Sequence, residues 1–232
     1  MSNHLRFPLL AMALVATVSL TGCSSDGKNP FAPIAPAPTA RGMAVHASPD
    51  APAVDLIVDG AVAGTGLAFP NNTAYLSVAA GTRNVKVNVA GTSTTVINAD
   101  LPVTGGASYT VFANDVVASI GAIVLTDDLT APASGKAHVR FVHLSPNAPA
   151  VDIAVQGGPV LFPNKAFKQY TAFTPVAAGT YNLEVRLAGT ATVALPLNGI
   201  VLESGKIYTV FAKGLAGGSG AQALGAQIIV NN

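Results

Sequence analysis

Apolar and polar residues alternate along several short segments of the chain, and a period of two is typical of half-buried β-strands. The clearest segment runs from residue 82 to 92, where three valines alternate with asparagine and lysine. A similar segment runs from 180 to 190. No segment after residue 22 sustains the apolar stripe and caps of an amphipathic helix. The pattern therefore predicts an all-β protein.

The sequence is internally repeated. The decapeptide HASPDAPAVD at 46–55 returns as HLSPNAPAVD at 143–152, an offset of 97 residues. The segment VAAGT returns at an offset of 98 and YTVFA at an offset of 99. An offset that grows by single residues indicates insertions in turns between fixed strands. Each copy is predicted to contain about seven short strands, the pattern of a sandwich.

The repeat predicts two tandem β-sandwich domains, immunoglobulin-like or transthyretin-like, at residues 41–128 and 137–232 with a linker at 129–136. Asp59-Gly60 predicts a hairpin turn between two of the strands. The apolar residues expected to face the two cores are Val54, Leu56 and Val58 in the first domain and Val151, Ile153 and Val155 in the second.

Residues 1–22 have the features of a secretory signal: Arg6 in a short polar start, an apolar run from Leu9 to Leu20, and small residues at its end. The run is too short to span a bilayer comfortably. The segment LTGC that ends at Cys23 resembles the lipobox of bacterial lipoproteins, in which the cysteine is lipidated and becomes the new N-terminus. Cys23 is also the only cysteine, so no internal disulfide can form.

Residues 23–40 form a proline-rich tether, and proline at this density favours an extended polyproline II spacer. Ser24 directly after Cys23 resembles lipoproteins that are sent to the outer membrane. The predicted location is therefore the cell envelope, with the protein anchored by an N-terminal lipid, at the outer membrane.

Charged residues make up 10% of the chain and the net charge is +1, whereas a typical protein has about 25% charged residues. This composition argues against nucleic acid as a partner, since nucleic-acid binding requires a basic face. Aromatic residues, on which sugars could stack, are few: the chain has no Trp, five Tyr and nine Phe.

The decapeptide contains the side-chain types of a hydrolase triad in His46, Ser48 and Asp55. A triad also needs a sharp elbow at the nucleophile and an oxyanion hole. No G-x-S-x-G elbow surrounds Ser48, and Pro49 removes the backbone N–H that would follow the nucleophile. We therefore predict no catalytic residue.

A metal site is a second interpretation, with His46, Asp50 and Asp55 as ligands in the first copy. The corresponding second-copy residues are His143, Asn147 and Asp152, so one charged ligand is lost there. The chain has neither paired histidines at ligand spacing nor a calcium-loop pattern. We predict neither a metal nor another cofactor.

The third interpretation is architectural, a strand–turn–strand clasp. Ser48-Pro49 begins a type I turn, and Asp50 and Asn147 are expected to bond the backbone of their own turns. Asp55 lies between apolar neighbours and needs partners, for which turn N–H groups or the histidine ring are the candidates. The predicted structural residues are His46, Ser48, Asp50, Asp55, His143, Ser145, Asn147 and Asp152.

The pattern H-x-S-P-[DN]-A-P-A-V-D, followed by V-A-A-G-T and Y-T-V, resembles the bacterial domain-of-unknown-function family 4397 in both copies. The resemblance implies extracytoplasmic β-sandwich modules, often in tandem and often on lipoproteins. It implies no reaction.

The expected function is that of a non-catalytic, membrane-anchored lipoprotein whose two sandwiches serve binding or structural packing. Its expected partners are the membrane, through the lipid, and an envelope protein or glycan. The alternatives are a carbohydrate-binding envelope protein and an envelope hydrolase that uses the His46 and His143 motifs.

Overall fold

The computed structural model describes residues 37–232, which form one compact unit. This part is built of sixteen strands and two short 3-10 helices, at Val117–Ser119 and Gly220–Gln222, and the all-β prediction is confirmed. The predicted signal peptide, the lipobox with Cys23 and most of the tether lie outside the described residues.

The first eight strands are β1 (Thr39–His46), β2 (Val54–Val58), β3 (Ala61–Leu67), β4 (Leu76–Ala79), β5 (Gly81–Val89), β6 (Thr95–Val103), β7 (Ser108–Asn114) and β8 (Gly121–Thr126). The second eight are β9 (Lys136–His143), β10 (Val151–Val155), β11 (Val160–Lys165), β12 (Thr174–Ala177), β13 (Gly179–Leu187), β14 (Val193–Leu202), β15 (Ile207–Lys213) and β16 (Gly225–Val230). β1 begins two residues before the predicted boundary at residue 41.

Each set of eight strands forms two four-stranded sheets. The N-sandwich (39–126) has the sheets β4-β1-β7-β8 and β3-β2-β5-β6, and the C-sandwich (136–230) has β12-β9-β15-β16 and β11-β10-β13-β14 in the same order. The predicted number of seven strands per copy was one too low. All pairs are antiparallel except β1 with β7 and β9 with β15.

The strand order decides between the two expected sandwich types. In the immunoglobulin arrangement the first strand pairs with the second, whereas here β1 lies between β4 and β7 and does not pair with β2. Of the two alternatives, the transthyretin-like arrangement remains.

The predicted core positions face the interior of each sandwich. Val54 is buried, and Leu56 and Val58 are half-buried and line the space between the two sheets of the N-sandwich. In the C-sandwich Val151 and Ile153 belong to the buried core, while Val155 at the end of β10 is half-buried. Asp59-Gly60 forms the β2–β3 turn with φ values of 50° and 82°, which are the positive values of a type I′ hairpin.

The two interiors leave space in different places. The N-sandwich contains a cleft of about 120 Å³, and the cavity in the corresponding place of the C-sandwich is about 30 Å³. The C-sandwich has a separate cavity of about 140 Å³ beside His143 and Pro149. Gly42 faces Tyr109 across the β1–β7 pair, where the C-sandwich has Val139 opposite Tyr208. Ala44 is likewise replaced by Phe141.

The inner sheets β4-β1-β7-β8 and β12-β9-β15-β16 pack against each other. Their contact is a buried cluster that contains Met43, Val45, Ala47, Phe112 and Leu125 from the N-sandwich and Val142, Leu144, Phe211 and Ile229 from the C-sandwich. Phe112 and Phe211 meet edge to face with centroids 5.7 Å apart. Both faces of each inner sheet are therefore buried, and the two sandwiches form a four-layer stack.

A polar network lies within this apolar contact. The Arg140 guanidinium is 2.8 Å from an Asp127 carboxylate oxygen, and the two side chains are 2% and 0% exposed. The hydroxyls of Thr110 and Tyr75 donate to the other carboxylate oxygen at 2.7 and 2.6 Å. Burial, with the hydrogen bond to Asp127, raises the pKa of Tyr75 to about 12. Arg140 Nε donates to Thr209 Oγ1 at 3.0 Å.

The charged pair occupies one of two related places in the contact. Arg140 is the cross-strand partner of Thr209 in the C-sandwich, and Met43 is the cross-strand partner of Thr110 at the same place in the N-sandwich. Asp127 follows β8 as Asn231 follows β16, and each accepts a hydrogen bond from the corresponding threonine. The counterparts of Arg140 and Asp127 are thus Met43 and Asn231, neither of which is charged.

We expect Arg140→Met to destabilise the protein by about 3–5 kcal/mol, because it leaves the Asp127 carboxylate buried without its counterion. The double variant Arg140→Met/Asp127→Asn reproduces the Met43 and Asn231 side chains and should recover most of that loss. Urea unfolding of the three proteins measures both effects. A double variant no more stable than the single one would contradict this account of the pair.

Candidate functional site

Each decapeptide connects the inner sheet of its sandwich to the outer sheet at one end of the stack. His46 is the last residue of β1 and Asp55 the second of β2, while His143 and Asp152 hold these places in β9 and β10. The two loops, at 47–53 and 144–150, therefore link strands from opposite layers.

The two histidines are fully buried and hydrogen-bonded to their own loops. His46 Nε2–H donates to the Pro52 carbonyl at 2.9 Å, and His143 Nε2–H donates to the Pro149 carbonyl at 3.1 Å. The rings stand edge-on to Phe69 and Phe167, at 6.2 and 6.5 Å between centroids. Burial lowers the pKa of both histidines below 6.5, so that each ring is neutral near pH 7.

The two aspartates each join an edge strand of the outer sheet to a turn: β3 to the β5–β6 turn in the N-sandwich, and β11 to the β13–β14 turn in the C-sandwich. Asp55 accepts from Gly66 N at 2.8 Å and Gly91 N at 2.9 Å. Asp152 accepts from Asn164 N at 2.6 Å and Gly189 N at 2.9 Å. These hydrogen bonds lower the pKa of both carboxyls. Of the two kinds of partner considered from the sequence, a turn N–H supplies one hydrogen bond to each carboxylate and the histidine ring supplies none; the other donor is an N–H within a strand.

Asp50 and Asn147 contact a distant loop instead of their own turns, and that expectation was wrong. Asp50 Oδ1 accepts from Val117 N at 2.8 Å. Asn147 Oδ1 accepts from Ala216 N at 2.8 Å, and its Nδ2 donates to Ala216 O at 3.0 Å. The Asp–Asn exchange follows from these contacts, because only an amide can pair with an N–H and a carbonyl together.

The serines of the decapeptides are also buried. Ser145 Oγ donates to the Gly214 carbonyl at 2.7 Å. Ser48 is also fully buried, and its Oγ has no hydrogen-bond partner within residues 37–232.

The candidate triad is not assembled. In the described part of the chain no hydrogen bond joins His46, Ser48 and Asp55, since the histidine and the aspartate both bind backbone groups. Nor does any group of three or more His, Cys, Asp and Glu residues in this part come close enough to hold a metal ion.

Two features were missed by sequence reasoning: the Arg140–Asp127 pair and the cleft beside Gly42. An alignment of the two copies contains a signal for both. In that alignment Met43 corresponds to Arg140, Gly42 to Val139 and Ala44 to Phe141. Differences between the copies, more than their shared residues, mark these places.

Comparison with known families gives one match. Residues 43–154 match the family model described as Domain of unknown function (DUF4397). The DUF4397 match begins within β1 and ends within β10, so it takes in most of the N-sandwich and both decapeptides. No curated protein matches the chain. No helix within residues 37–232 is long and apolar enough to cross a membrane.

We expect Asp55→Ala to lower the melting temperature by a few degrees, because the N–H groups of Gly66 and Gly91 lose their acceptor. Asp100→Ala is the matched control, since Asp100 accepts only from the exposed side chain of Asn84. Thermal unfolding followed by circular dichroism compares the two. Equal losses for both variants would show that the Asp55 contacts do not stabilise the turns.

Stability should also decrease as the pH falls below about 6.5, the ordinary pKa of histidine. His46 and His143 have lowered pKa values when folded, so the unfolded chain binds more protons below that pH. The decrease continues until the folded-state values are reached, and the carboxylates of Asp55 and Asp152 add to it only below about pH 4.

Urea unfolding between about pH 8 and pH 5 measures this dependence. The double variant His46→Gln/His143→Gln should lose most of the slope, whatever its stability at high pH. His138→Gln, outside the decapeptides, should retain it. A slope unchanged in the double variant would rule out the buried histidines as its source.

Proposed function

We propose that the protein is a non-catalytic lipoprotein of the cell envelope, anchored by lipid on Cys23 at the outer membrane, and that its two sandwiches are tandem copies of DUF4397. The observation that carries the proposal is that His46, Asp50 and Asp55, like their counterparts, are committed to backbone groups. These contacts of the decapeptides stabilise the fold, and the remaining ring nitrogens, His46 Nδ1 and His143 Nδ1, are buried away from solvent.

The tandem arrangement is supported by contacts that recur in both sandwiches. The histidine-to-proline-carbonyl hydrogen bond and the two N–H groups on the aspartate are present in each. A threonine hydroxyl also accepts a hydrogen bond from the inner sheet in each sandwich. Ala44 N donates to Thr73 Oγ1 in the first, and Phe141 N donates to Thr171 Oγ1 in the second.

The surfaces offered to a partner are the solvent faces of the two outer sheets. On the N-sandwich this face contains a cross-strand network in which Asn84 Nδ2 donates to Asn98 Oδ1 at 3.0 Å and to Asp100 Oδ1 at 2.8 Å. Thr95 donates to Asn88 on the same face at 2.8 Å. This face is polar and carries few charges, among them Lys86 and Asp100, which suits packing against weakly charged envelope material.

The first experiment tests the anchor. Mass spectrometry of the purified protein should find Cys23 as the N-terminal residue, carrying acyl chains, and Cys23→Ser should move the protein from the membrane fraction to the soluble one. Unmodified Cys23 in soluble mature protein would contradict the proposal.

The second experiment tests binding with the fragment 37–232. We expect saturable binding to outer-membrane vesicles that Asn98→Arg weakens, because it places a second positive charge directly opposite Lys86 on this face, and that Thr130→Arg leaves unchanged. Saturable binding to cell-wall glycans would favour the carbohydrate-binding alternative. Turnover of an ester or glycan that is lost in His46→Ala/His143→Ala would establish the hydrolase instead.

A further inference from the structure

The N-sandwich contains an open apolar cleft between its two sheets. The cleft has a volume of about 120 Å³, and its walls include Gly42, Leu56, Val58, Val85, Leu101 and Val111. Val124 on the edge strand β8 also lines the cleft and is 39% exposed. The cleft is thus reached from solvent along this edge.

The C-sandwich shows how the same architecture closes this space. Val139 and Phe141 occupy the positions that Gly42 and Ala44 have in the N-sandwich. Tyr181, the third residue of β13, corresponds to Arg83, the third residue of β5. Tyr181 packs against the C-sandwich core. At this end of the fold, space is therefore open in the N-sandwich and filled in the C-sandwich, and the N-sandwich has a cation where the C-sandwich has a tyrosine.

One end of the cleft carries hydrogen-bond donors. Arg83 Nη1 contacts Asp59 at 3.0 Å and Nη2 donates to the Ala80 carbonyl at 3.0 Å. Its Nε–H is buried and has no acceptor among the residues that the structure describes. The Tyr109 hydroxyl accepts from Thr104 N at 3.1 Å, which leaves its own O–H to donate.

Arg83 and Tyr109 lie at the same end of the sandwich. β1 begins at this end, because its first residue pairs with the last residue of β4. β5 follows β4 directly and therefore begins here. β7 also begins here, because it runs parallel to β1. Both residues line the cleft. An apolar space with two donors at one end is complementary to a molecule with an aliphatic body and an anionic head.

We propose that the cleft binds a single-chain carboxylate, with the carboxylate at Arg83 and Tyr109 and the aliphatic chain between the sheets. The volume sets the size of the ligand, since a cavity of about 150 Å³ takes up one benzene molecule. A few carbons of the chain therefore fit between the sheets, the rest of a longer chain leaves through the open edge beside Val124, and a polycyclic molecule does not fit. The site lies inside the N-sandwich and is independent of the proposed role of the outer faces.

The test is isothermal titration calorimetry of the fragment 37–232, which contains all sixteen strands, with octanoate as the probe and 1-octanol as its uncharged counterpart. We expect one octanoate per chain, bound more tightly than octanol. Absence of saturable octanoate binding would overturn the proposal.

Two variants copy the C-sandwich into the cleft. Gly42→Val should abolish octanoate binding while the protein stays folded, because the nearest atom to a Cβ at this position is Val78 Cγ2 at 3.7 Å. Arg83→Tyr should weaken binding of both probes, because Tyr181 fills the corresponding space in the C-sandwich, and should weaken octanoate by about tenfold more than octanol through the loss of one charge-assisted hydrogen bond. Lys86→Gln, on the outer face of β5, is the control and should bind as the parent does.

Octanoate binding that survives Gly42→Val would place the ligand elsewhere and overturn the proposal. Equal binding of octanoate and octanol, unaffected by Arg83→Tyr, would overturn the carboxylate assignment. A third comparison uses a chain that begins at Ser24. If only the shorter fragment binds octanoate, residues 24–36 exclude it from the longer chain and the proposed ligand is wrong.

Discussion

The arrangement of the whole molecule depends on the contact between the two inner sheets. Apolar sheet faces can pack in several registers, but a buried guanidinium is tolerated only where its partners are in place. Arg140 reaches Asp127 and Thr110 across the contact while holding Thr209 in its own sheet. This pair therefore selects one alignment of the two sandwiches, at a desolvation cost that its hydrogen bonds offset.

The two copies share their turns and differ in their interiors. The hydrogen bonds of the histidine and the aspartate recur in both decapeptides and show what each sandwich needs in order to close one end of its layers. The differences lie at Gly42, Arg83 and Met43, where one copy has changed size or charge without altering the strand order. Such changes can be recognised because the second copy shows which other residues the same strand order accepts at these positions.

Alternation along the strands was enough to predict the all-β class, the inward-facing valines and the Asp59-Gly60 turn, since each depends on neighbours in sequence. The longer-range features were not predictable in this way. Asp50 bonds Val117, 67 residues away, and no local pattern distinguishes that partner from its own turn. Arg140 has the sequence context of an exposed strand residue, and only the packing of a second sandwich buries it.

Fusion of the sandwiches changes how two modules on one tether can act. Separate modules on a flexible linker gain avidity because each can search for its own target. Here the inner sheets are buried against each other, so the outer sheets face opposite sides of one rigid body. With packed sheets about 10 Å apart, four layers hold these two faces roughly 30 Å from each other. Such a body can join two partners at a fixed spacing, but it cannot place both faces on one flat surface.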